Sequence, residues 1–191
     1  MIMARKEKQS IDKDNLSRTI ILSGEVNHEN VADMIQTICD INDEDDSSEE
    51  SVVGYERKPI RIIINSPGGT IYDGFGLIGV IETSKTPVHT ICYGHAMSMA
   101  LLILVSGHKR FGHSLATYMY HECLDTPVQE KLSTLKENLE ETARIMAQYD
   151  NYLISKTAIK RKQLDTIKRT KLDWYISSEE ALRYKFIDEI I

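Results

Sequence analysis

Thr90-Ile91-Cys92-Tyr93-Gly94-His95-Ala96-Met97-Ser98-Met99-Ala100, continuing as Leu101-Leu102-Ile103-Leu104-Val105, is the stretch on which the fold turns. It opens as a strand, breaks at a glycine, and resumes as a run of good helix formers. One serine, Ser98, sits at the break among apolar neighbours, where a hydroxyl has no evident structural use. A helix starting there points unpaired backbone N–H groups, and the positive end of its dipole, at whatever Ser98 attacks. Acyl-transfer chemistry needs that arrangement.

Working outward, the preceding unit repeats the pattern. Ile60-Arg61-Ile62-Ile63-Ile64 reads as a strand ending in Asn65-Ser66-Pro67-Gly68-Gly69, followed by a glycine-dotted helix over 71–82. Near-continuous apolar strands alternating with helices predict an α/β fold with a largely parallel sheet. Earlier still, Thr19-Ile20-Ile21-Leu22 reads as a buried strand ended by Ser23-Gly24, and Asn27 can cap a helix carrying Val31, Met34, Ile35 and Ile38 on one side. Residues 40–50 are so acidic that they read as a disordered surface loop, an insertion over about 40–56. They lack the glycine and terminal acid of a calcium loop.

Downstream, residues 107–111 give a turn and short strand, and Ala116-Thr117-Tyr118-Met119-Tyr120 a further strand leading into His121. A long helix is predicted over 127–156, with Leu132, Leu135, Leu139, Met146, Tyr149 and Leu153 at alternating threes and fours. It outruns a body of this size, so its protruding half is expected to contact another subunit. The tail reads as a basic helix over 160–169, Asp173 in an irregular segment, and a capped helix beginning at Ser177-Ser178-Glu179-Glu180.

The 191 residues suffice for one domain, read as 17–191 behind a mobile polar arm at 1–16. A net charge of −6 argues against nucleic acid or an anionic membrane as partner. The three cysteines, Cys39, Cys92 and Cys123, are far apart and form no C-x-x-C, so neither disulfides nor a metal site is expected. The charged start lacks a secretory h-region, and the apolar window over 96–105 is too short to span a bilayer. The expected location is the cytoplasm, and no cofactor is called for.

Ser98 needs a base and an oxyanion hole. The backbone N–H of Met99 is one candidate donor. The Pro67-Gly68-Gly69 turn, at the C-terminal end of a neighbouring strand, offers another, since sites of α/β sheets lie at such ends. Six histidines compete for the base, and His121 is best placed because it too ends a buried strand. Composition leaves Glu122, Asp125, Asp165, Asp173 and Asp188 open as the group orienting the imidazole. The G-x-S-x-G elbow of α/β-hydrolases is absent.

Taken in order, Asn65-Ser66-Pro67-Gly68-Gly69, Gly94-His95-Ala96-Met97-Ser98-Met99, Met119-Tyr120-His121 and Asp173-Trp174-Tyr175-Ile176-Ser177-Ser178-Glu179-Glu180-Ala181 resemble the ClpP family of ATP-dependent caseinolytic serine proteases. Tyr184 and Phe186-Ile187-Asp188 extend the likeness. The resemblance implies a crotonase-like superhelix of repeated ββα units with a protruding handle helix at 127–156. It implies Ser98 as nucleophile, His121 as general base and Asp173 as orienting carboxylate. The N–H groups of Gly69 and Met99 would form the oxyanion hole.

By the same resemblance, handles interlock two heptameric rings into a chamber for unfolded protein or peptide, fed by a Clp-type AAA+ ATPase. Where the family aligns substrate backbone, this chain has Glu122-Cys123-Leu124-Asp125-Thr126-Pro127, so Leu124 and Asp125 are the expected substrate contacts. Methionine stands at position 97 and alanine at 100, where the family has alanine and glycine, which predicts a tighter pocket around Ser98. Arg61 and Ile63 replace aromatics of the ATPase-gripping cleft. Three other readings are a crotonase-fold acyl-CoA enzyme, a non-catalytic ring subunit beside an active paralogue, and a Ser–Lys peptidase with Lys109 as base.

Overall fold

The computed structural model describes residues 18–122, 131–170 and 173–191. The expected arm at 1–16, Cys123, the substrate contacts Leu124 and Asp125, the start of the long helix and the side chain of Leu132 lie outside the described residues.

Strand β1 (Thr19–Val26), helix α1 (His28–Ser51), strand β2 (Ile60–Gly69), helix α2 (Ile71–Thr83), strand β3 (Val88–Met97) and helix α3 (Met99–Ser106) form the first half. Strands β4 (Lys109–Gly112) and β5 (Thr117–His121) follow, then helices α4 (Leu132–Lys156) and α5 (Arg161–Thr170). Strand β6 (Asp173–Ile176), helix α6 (Ser178–Arg183) and strand β7 (Glu189–Ile190) close the chain. The expected α/β architecture is what the structure has. β1, β2, β3, β4 and β7 run side by side and parallel, while β5 pairs with β3 and with β6.

β3 is the pivot. Its lower half, His89 to Cys92, pairs with β4, and its upper half, His95 to Met97, pairs with β5. That fork explains why β2 and β3 run on past the breaks expected at Asn65 and Gly94. The sheet continues upward on new partners, and the strands follow it to the foot of α3. Every residue of α3 is buried, so a charge-free octapeptide sits at the centre of the core, packed beneath β2 and β3.

Two expectations need correction. The acidic block is not a loop, because α1 runs through it to Ser51. Its charges are compensated by distant cations: Asp45 is buried and accepts from Arg18 at 3.0 Å and from Thr86 at 2.6 Å. Asp46 pairs with Arg57 and with Lys85, and Glu49 with Arg57. Asp173 is likewise not in an irregular segment. It opens β6, which is antiparallel to β5.

The long helix behaves as two halves. Ile145, Met146, Tyr149 and Leu153 are buried against the body, whereas Leu135 and Leu139 are 39% and 55% exposed.

Candidate active site

Ser98 stands between β3 and α3 with φ +51° and ψ −127°. A non-glycine residue in the left-handed region costs on the order of 1–3 kcal/mol and persists only where its surroundings fix it. Here they do. The Ser98 N–H donates to the Met119 carbonyl of β5 at 2.8 Å, and the Ser98 carbonyl accepts from the Leu101 N–H and from the Tyr149 hydroxyl of α4. The strained turn lifts the side chain out of the strand's line and leaves it at the mouth of a buried helix.

The opposite wall comes from the end of β2. A Cβ on Gly68, whose φ is +99°, would lie 2.7 Å from both the Met97 carbonyl oxygen and the Ser98 Cβ, and 2.9 Å from the Met99 nitrogen. Only glycine lets that backbone approach Ser98 so closely. Gly69, at φ +151°, is pressed as closely against the Val26 carbonyl. The Gly68-Gly69 segment therefore borders the same space as the first N–H of α3. The positive end of the α3 dipole faces that space.

His121 ends β5, as expected, and its Nε2 lies 2.8 Å from Ser98 Oγ. Asp173 stands directly across the β5–β6 ladder from it. His121 Nδ1 and Asp173 Oδ1 are 3.8 Å apart, beyond a hydrogen bond. Three of the predicted residues thus converge, with the Ser–His contact made and the His–Asp contact open. Pro67, Gly68, Gly69, Ile71, Ser98, Met119, His121 and Glu25 line a cavity of about 300 Å³.

The strand carrying His121 is braced from behind. The Tyr120 hydroxyl donates to the buried Asp150 of α4 at 2.7 Å. Lys168 of α5 reaches both Asp150 and Glu122, each at 3.0 Å. Burial opposes the charge on Lys168, but its bonds to those two carboxylates prevail and raise its pKa.

Lys109, Asp188 and Glu122 are engaged elsewhere. Lys109, the base of the Ser–Lys reading, pairs with Glu189 and lies over the Phe111 ring at the far end of β3's partner strand. Asp188 holds Arg110, and Glu122 holds Lys168. Cys92 is buried, and burial pushes its thiol up to about 12, so it is inert as a nucleophile. Among the described residues no His, Cys, Asp and Glu group could hold a metal, and no helix is long and apolar enough to cross a membrane. Sequence reasoning missed two neighbours of the site. Tyr149 enters the sequence reading only as one apolar position of the long helix, and Glu25 lies beyond the expected end of β1, where Gly24 is its sole signal.

Fold and geometry together define an α/β protein with a serine–histidine pair at the start of a buried helix. The Clp protease family profile matches residues 4–191, and the chain belongs to that family. It is 34% identical to the ATP-dependent Clp protease proteolytic subunit 1 of Prochlorococcus marinus subsp. pastoris over 137 residues, which are 70% of this chain and 68% of the relative. The ATP-dependent Clp protease proteolytic subunit of Cyanophora paradoxa is 29% identical over 191 residues, 96% of this chain and 92% of that one. Subunit 2 of Synechococcus sp. is 34% identical over 137 residues, with 70% and 68% covered.

Proposed function

We propose that the chain is the proteolytic subunit of a self-compartmentalising peptidase, cleaving peptide bonds through Ser98, His121 and Asp173. The observation that carries this reading is the 2.8 Å contact of His121 Nε2 with Ser98 Oγ at the start of α3. His121 takes the hydroxyl proton as Ser98 attacks the carbonyl carbon. The oxyanion that forms is held by the N–H groups of Gly69 and Met99. His121 then protonates the leaving amine, giving an acyl-enzyme, and next activates a water that releases the acid. Asp173 orients the imidazole and offsets its charge, which requires the 3.8 Å gap to Nδ1 to close.

The half-uncovered α4 supports assembly of rings through handle helices, with peptides or unfolded chains processed inside. The relatives are named as proteolytic subunits of an ATP-dependent Clp protease, which supports delivery by a separate Clp-type ATPase. A crotonase-type thioester enzyme would not need a base on Ser98, and the Ser98–His121 contact favours the peptidase. The test is intact-mass analysis after a fluorophosphonate: a single adduct on Ser98, absent from Ser98→Ala, is expected. An adduct elsewhere, or none, overturns the assignment.

A further inference from the structure

β1 does not end at Ser23-Gly24. It continues to Val26 through an irregularity, with the β2 register shifting between Ser23 and Glu25 and Gly24 at φ +89°. A bulge with glycine at positive φ bends a strand and re-aims the side chain that follows. The re-aimed residue is Glu25. It falls opposite Gly68 in the ladder and lines the cavity in front of Ser98. Its backbone is fixed by Asn30, whose side-chain amide donates to the Glu25 carbonyl at 2.8 Å.

Glu25 is exposed and is the only carboxylate among the described residues lining that cavity. Among the described residues no cation pairs with it, although Asp45, Asp46, Glu49, Glu82, Asp150 and Asp188 all have partners. The rest of the wall is largely apolar, with Pro67, Ile71 and Met119 beside it.

We propose that Glu25 sets substrate preference, selecting chains with lysine or arginine flanking the bond to be cut. This rests on the peptidase reading of Ser98. A carboxylate on a partly apolar wall attracts a cation and repels an acid. The aliphatic stem of Lys or Arg packs on Ile71 and Met119 while its head reaches the carboxylate. An exposed pair is screened, so the expected preference for Lys over Leu is about fivefold, smaller at high salt.

The experiment uses the full assembled chain and internally quenched peptides with Lys, Leu or Glu at each position flanking the cleaved bond. Rates are normalised to Ser98 titrated by a fluorophosphonate. In the wild type, Lys should lead and Glu trail at one of the two positions. Glu25→Gln should bring the Lys-to-Leu ratio near one, and Glu25→Lys should invert the order of Lys and Glu. If Ser98 titrates and peptides are cut but the ratio shows no dependence on residue 25, Glu25 is not a specificity residue. If Ser98 takes no probe, or no peptide is cut, the peptidase reading itself falls and this inference with it.

Discussion

Ser98 is held by its backbone as much as by its neighbours' side chains. Its N–H belongs to β5, its carbonyl to α3 and α4, and its φ of +51° is kept by those bonds together. Replacing the proposed catalytic groups tests the chemistry: Ser98→Ala and His121→Ala should each lower peptide hydrolysis by about a thousandfold or more, with folding by circular dichroism unchanged. Tyr149→Phe tests the support. It removes one bond to the Ser98 carbonyl while Leu101 keeps another, so stability should fall by about 1 kcal/mol in urea titration. Tyr149 is a positioning residue, so kcat should fall with KM unchanged, a split that a merely looser core would not give. The serine was legible because a strand, a glycine and an uncharged octapeptide are local signals. Asp173 was legible only through the family resemblance, because composition left five acids open. The strand formers Trp174, Tyr175 and Ile176 hint at β6, but its pairing with β5, some fifty positions earlier, is what sets Asp173 across from His121.

At the level of elements, helix α1 shows how a composition rule fails. Eleven residues so rich in Asp and Glu cannot bury themselves, yet most of them need only one shielded face. The sequence near position 45 carries no sign of Arg18 or Thr86, whose contacts keep Asp45 buried. Burial pushes the Asp45 carboxyl up, but hydrogen bonds from Arg18, Thr86 and Tyr55 outweigh it and hold its pKa at about 2. The sign follows directly. A carboxyl held below its ordinary 3.8 stabilises the fold fully above that value, and the contribution is lost as pH falls through about 2. Asp45→Ala leaves Arg18 partly buried without its partner and should cost on the order of 3 kcal/mol in denaturant titration at pH 7. The difference between wild type and variant should shrink as the titration is repeated from pH 4 towards pH 2. A gap that stays constant over that range would show that the carboxylate charge is not what anchors the helix.

For the whole molecule, two of the apolar surfaces that stay uncovered among the described residues suit two different contacts. One is the outer face of the sheet, where Ile21 of β1 is 66% exposed and stands in register with Ile63, with Tyr93 of β3 46% exposed beyond it. The other is the outer half of α4, with Leu135 and Leu139. A sheet face can pack against a neighbour beside it, next to the Arg61 and Ile63 positions of the expected ATPase cleft, whereas a projecting helix can meet its equivalent from an opposing ring. In the proposed assembly the two surfaces therefore serve lateral and ring-to-ring contacts separately. Burying a leucine contributes about 1.5–3 kcal/mol, multiplied around a closed ring, so small changes should have large effects. Sedimentation velocity separates the two. Leu135→Asp with Leu139→Asp should convert a double ring into single rings, because each handle then presents charge to its partner. Ile21→Asp should instead disperse the rings to small species, since lateral closure is lost before stacking can occur. Peptide hydrolysis should decline in both, more steeply in the second. If both variants sediment like the wild type, these surfaces are not the ring contacts, and the chamber would have to be built from other faces of the chain.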